Sequence, residues 1–136
     1  MKRFFILLLT LSVIGVLYGI YLFNKKPLDT REQNADFELT SEQLVNEFSA
    51  NETSASAKYA DKVLFVTGKV NEINLNSATV FLESGDPLAG VTCSFYPDEA
   101  PQLKELRVGQ VVKIKGKCTG KLADVVLNNC SLSSLN

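Results

Sequence analysis

The sequence predicts an all-β domain with accessory helices, carried behind an apolar N-terminal helix. Three observations predict it. Residues 4–23 run without a charge. Five later stretches alternate apolar and polar residues with period two, the pattern of half-buried strands. Two of those stretches echo each other and carry a glycine at the same place.

Lys2-Arg3 precede the run Phe4–Phe23, which as a helix spans roughly 30 Å, the hydrocarbon thickness of a bilayer. Tyr18, Tyr21 and Phe23 gather at its far end, as aromatics do at an interface, and Asn24-Lys25-Lys26 stops it. Ile20 to Asn24 offers no small-x-small cleavage pattern. Residues 1–26 are therefore expected to be an uncleaved single-pass anchor, with the lipid bilayer as partner of residues 4–23. Basic residues on the two sides nearly balance, and the short N-terminal tail favours a signal anchor with the domain outside the cytoplasm. Residues 27–38 are polar and aperiodic and read as a tether.

The domain is expected over 39–133, with 134–136 as a tail. A leading helix over 41–50 follows from Thr40 as cap, Gln43 completing a capping box, and Leu39 stapling onto Leu44. Leu44, Val45 and Phe48 share a face that should dock on the domain. Asn51–Ala57 is either a ragged continuation of that helix or a loop. The strands are Val63–Ile73, Thr79–Glu83, Val91–Tyr96, Val111–Cys118 and Val125–Leu132. Between the third and fourth, Asp98–Arg107 has acids first, Pro101 early, and Leu103 and Leu106 on one helical face, with Gly109 placed to end it. The echoing stretches Val63–Val70 and Val111–Cys118 carry Gly68 and Gly116 in otherwise apolar runs. Glycine inside a strand costs stability and marks a bend or a close backbone approach, as small barrels need. Five strands with a helix between the third and fourth give a five-stranded Greek-key OB-fold barrel. Another small antiparallel sandwich is the alternative.

These segments also resemble a known family. Lys62–Val70, Gly90–Phe95, Leu106–Gly120 and Val126–Leu132 look like the tRNA-anticodon-like OB-fold family. The resemblance implies a small bacterial OB domain, often behind a signal or membrane segment and mostly without an assigned activity. It implies nothing firm about RNA, because fold alone does not carry function.

Chemistry is sparse. There is no His, which removes His-dependent triads and the common zinc and haem motifs. No P-loop, Rossmann or nucleophile-elbow motif is present. The expectation is a non-enzyme with no cofactor and no metal. Cys118 and Cys130 fall on the last two strands, so a disulfide between them is one reading, leaving Cys93 unpaired; three buried thiols in a reduced domain is the other. Lys113, Lys115, Lys117 and Lys121 form a basic stripe. Phe81 and Tyr96, on the outward parity of the second and third strands, are candidate stacking residues for single-stranded nucleic acid, although Phe81 can equally pack under the first helix. Residues 37–136 hold nine Lys and Arg against twelve Asp and Glu, which weighs against phosphate. Asn74 and Asn76, with the loops Asn74–Ser77 and Thr119–Ala123, are further ligand candidates because OB domains bind across those connections. The expected partner is a protein, a glycan or a small ligand. Nucleic acid on the cytoplasmic side, or a structural role in a membrane complex, is the alternative.

Overall fold

The computed structural model describes residues 1–26 and 28–135, with side chains to Ser133. The apolar run forms helix α1, Lys2–Asn24, with no buried residue. Then come β1 (Phe37–Thr40), α2 (Ser41–Ala50), α3 (Glu52–Tyr59), β2 (Val63–Asn74), β3 (Thr79–Glu83) and β4 (Gly90–Phe95). A 3-10 helix over Pro97–Glu105, β5 (Val111–Lys121) and β6 (Val125–Leu135) complete the chain.

The sheet runs β1-β2-β3-β4-β6-β5, and β2 also pairs with β5, which closes a five-stranded barrel. The long β2 achieves this by changing partners along its length. Its first half pairs with β5 from Val63↔Lys117 to Lys69↔Val111, and its second half pairs with β3 beyond an irregularity between Val70 and Glu72. β4 and β6 run parallel, the other strand pairs of the barrel antiparallel. The five expected strands are all present.

A sixth strand was not expected. β1 lies parallel to β2, from Phe37↔Leu64 to Thr40↔Thr67. The segment read as a tether over 27–38 is therefore corrected: its described residues are docked on the barrel. Thr30 is buried and Asp36 accepts a hydrogen bond from the Val63 N–H at 3.1 Å. Ionic and backbone contacts hold it, and these leave no periodicity to read.

The α2 start forms as the residues dictate. Thr40 Oγ1 accepts from the Gln43 N–H at 3.1 Å, and Gln43 Oε1 accepts from the Thr40 N–H at 3.0 Å. Asn51 then caps α3 by accepting from the Ser54 N–H at 3.1 Å, so the ambiguous stretch after α2 is a second helix. Gly68 explains how α2 approaches β2: a Cβ there would lie 2.5 Å from Ser41 Oγ. Leu44, Val45 and Phe48 enter one core with Leu64, Val66, Leu82, Ile114 and Leu127. Each such buried side chain contributes about 2 kcal/mol through the water it sheds. After the 3-10 helix, Gly109 sits at φ 91° in the turn leading to β5, its N–H donating to Val70 O at 2.7 Å, instead of ending the helix.

The cysteines bear on the two readings given above, a Cys118–Cys130 bridge or three buried thiols. All three cysteines are buried free thiols. Cys118 stands opposite Leu127, while Cys130 stands opposite Phe95 on the other neighbouring strand.

Candidate nucleic-acid and ligand-binding faces

Two outer faces of the barrel carry the residues singled out above. The first lies over β2, β3 and β4. Glu72, Phe81 and Thr92 are aligned across these three strands, Glu72↔Phe81 and Phe81↔Thr92. Phe81 is half-buried, and its ring lies over Gly90, where a Cβ would meet Cζ at 2.6 Å. It lines two shallow grooves, one with Glu83 and Asp86, the other with Glu72 and Thr79. Asp124 closes the edge, accepting from the Gly90 N–H at 3.1 Å and facing Thr92 Oγ1 at 3.4 Å. Part of the Phe81 ring is thus accessible, and carboxylates are among its neighbours. Lys69 is the cation there, 3.8 Å from Glu83.

Tyr96 does not join Phe81. The Arg31 guanidinium lies 4.5 Å from the centre of its ring, and its hydroxyl accepts from the Thr30 N–H at 3.0 Å. Arg31 pairs at the same time with Asp29 at 2.6 Å, Asp98 at 2.7 Å and Glu99 at 3.2 Å. Hydrogen bonds from the Arg31 side chain and backbone hold the Asp29 carboxyl down at about 2, and the same side chain lowers Asp98. The Arg31 pKa is raised in turn, chiefly by Asp29 and Asp98. The expectation of Tyr96 as a free stacking platform is therefore corrected. A residue sixty-five positions upstream covers it, which no local pattern announces.

The second face lies over β2 and β5. Lys113 Nζ sits 4.4 Å and Lys115 Nζ 5.6 Å from the centre of the Phe65 ring. Both lysines are already used within the chain. Lys113 pairs with Glu38 on β1 at 2.6 Å, and Lys115 donates to Arg31 O at 3.1 Å. Lys117 and Lys121 have no ion-pair partner among the described residues. A groove of about 430 Å³ runs beside Phe65, between Arg31, Glu99 and Lys115. Phe65 was missed as a site residue. The echo of the two stretches sets Phe65 against Lys113, and only the antiparallel register of the folded strands brings it opposite Lys115.

The loop candidates divide similarly. Asn74 is a turn former, its Oδ1 accepting from the N–H groups of Asn76 and Ser77 at 3.1 and 3.2 Å, and Asn76 enters through its backbone. Leu75, Leu88 and Leu122 are exposed in the three hairpin connections. No group of His, Cys, Asp or Glu able to hold a metal exists among the described residues.

A five-stranded barrel closed by a parallel β4–β6 pair, with a helical turn between β4 and β5, is the OB architecture. The chain belongs to the tRNA_anti-like family, which it matches over residues 1–132. Among solved structures it is similar to a lipoprotein from Klebsiella pneumoniae subsp. pneumoniae, provisionally described as nucleic acid-binding. The two share 19% identity at a TM-score of 0.60, over 75% of this chain and 100% of that one, a likeness of fold. No curated protein matches the chain.

Proposed function

We propose that the chain is a single-pass membrane protein that presents a non-catalytic OB domain outside the cytoplasm, where the Phe81 face binds a protein or glycan segment. The observation that carries this reading is the composition of that face. A half-buried aromatic side chain is flanked by Glu72, Glu83, Asp86 and Asp124, with exposed leucines in the adjoining hairpins. Carboxylates repel phosphate, while an aromatic and nearby apolar tips suit a partner without phosphate charge. Membrane attachment is supported by α1, which is uncharged from Phe4 to Phe23, buries no residue, and lies within the family match.

The nucleic-acid alternative is favoured by one observation, Phe65 lying beneath Lys113 and Lys115, and by the description of the Klebsiella protein. Two experiments separate the readings. A periplasm-active phosphatase fused after Asn136 should be active and a cytoplasm-active fluorophore dark; the reverse pattern overturns the topology. Full-length protein in detergent should not retain labelled oligodeoxythymidylate at low salt. Retention that Lys115→Glu abolishes establishes the nucleic-acid reading instead.

A further inference from the structure

We propose that Tyr96, Asp98 and Glu99 form a seat for an arginine side chain presented by an extended segment of a partner protein, with the chain's own Arg31 as the resident occupant. The seat shares no residue with the Phe81 grooves, so the inference does not rest on the function proposed above.

The seat is fixed to the barrel. The Tyr96 N–H donates to Cys130 O on β6 at 3.2 Å, and the Glu99 N–H donates to Tyr96 O at 3.0 Å. Leu103 of the same 3-10 helix is buried in the core. The Tyr96 ring lies 4.5 Å from the Arg31 guanidinium carbon, and Asp98 and Glu99 accept from its Nη1 at 2.7 and 3.2 Å. Lys115 on β5 adds a donor for the main chain, reaching Arg31 O at 3.1 Å. A planar cation that stacks on a ring while giving several N–H donors to carboxylates suits this set, and a compact ammonium suits it less well.

The occupant is held more loosely than the seat. Leu28–Asp36 places no apolar side chain in the core, and Thr30 is its one buried residue. Its turn is local, with Asp29 Oδ1 accepting from the Arg31 N–H at 2.9 Å and the Glu32 N–H donating to Asp29 O at 3.0 Å. Exposed ion pairs of the Arg31 kind contribute little each, so the segment is exchangeable. An empty seat is a different matter. The Glu99 side chain is only 11% exposed, and Arg31 is its one ion-pair partner among the described residues. Removing that cation strands a nearly buried carboxylate, so a departing Arg31 needs a replacement. A guanidinium from another chain satisfies the same atoms. The adjoining groove of about 430 Å³, which Arg31, Phe65, Glu99 and Lys115 help to line, accommodates the residues flanking it. With Arg31 gone, Asp98 and Glu99 repel phosphate, which favours a peptide over nucleic acid.

The test uses the full chain in detergent and a fluorescent synthetic peptide, Leu-Asp-Thr-Arg-Glu-Gln, copied from residues 28–33. Arg31→Ala vacates the seat and should bind this peptide at least about tenfold more tightly than wild type, because no internal competitor remains. The same peptide with citrulline in place of arginine should not bind, and adding Glu99→Gln to Arg31→Ala should weaken binding of the arginine peptide. Equal binding by wild type and Arg31→Ala, equal binding of the citrulline peptide, or no binding at all overturns the proposal. Retention of oligodeoxythymidylate by Arg31→Ala in place of the peptide overturns it too. If Arg31→Ala fails to fold, wild type decides: excess arginine peptide should quicken exchange of the Thr30 amide and the citrulline peptide should not, and no quickening overturns the proposal.

Discussion

The two outer faces of the barrel share β2 but use their aromatics in opposite ways. On the β3–β4 side Phe81 is open and surrounded by carboxylates. On the β5 side Phe65 is roofed by Lys113 and Lys115, and those lysines hold Glu38 and the Arg31 carbonyl. Open aromatic surface and positive charge, which a single-stranded nucleic-acid platform needs together, are thus on different faces. The difference teaches that a lysine stripe on a strand can be internal fastening. Here it binds β1 and the segment before it to the barrel.

The largest way to break the comparison is through the strand both faces share. Leu64→Ala on β2 removes a fully buried side chain opposite Gly116 and should cost about 3 kcal/mol, read as a lower urea midpoint with an unchanged slope. Both faces should lose hydrogen-exchange protection together. Next is Thr40→Ala, which deletes the reciprocal cap at the junction of β1 and α2; about 1 kcal/mol is expected by the same measurement. Arg31→Ala should act on one side only. It uncovers Tyr96, and exchange of the Thr30 amide should quicken roughly tenfold while amides of β3 and β4 stay as they were.

The smallest effect is a pH dependence confined to the same segment. Asp29 is held at about 2 against an ordinary 3.8, and Asp98 is lowered too. A carboxyl depressed by folding contributes fully above its unfolded value and is lost as pH falls through the folded one. The Thr30 amide should therefore stay protected down to about pH 4 and lose protection towards pH 2, and salt should weaken the contact because these groups are exposed. Loss of protection already near pH 6 would show that the Arg31 cluster does not hold the segment.

Much of the fold was legible because its signals are local. The apolar run gave α1, the Thr40–Gln43 pair marked α2, and alternation found the five barrel strands to within a few residues. What was not legible depends on partners distant in the chain. Phe37-Glu38-Leu39-Thr40 is too short to alternate convincingly, and only its pairing with β2 makes it a strand. Tyr96 reads as a free aromatic until Arg31 arrives. Phe81 was a candidate from strand parity, but the carboxylates around it come from β2, β3 and two loops, and only the folded chain gathers them.

The docked segment has one more consequence. Five residues separate the end of α1 at Asn24 from the buried Thr30, a leash that reaches about 20 Å at most. Under the proposed attachment of α1 to a bilayer, the barrel would be kept close to the lipid surface. Its encounters would then become a search in two dimensions, where a partner fixed in the same membrane would be met at high local concentration and a dissolved one would gain no such advantage. The Arg31 cluster sets the length of that leash, and opening it would add several residues of reach.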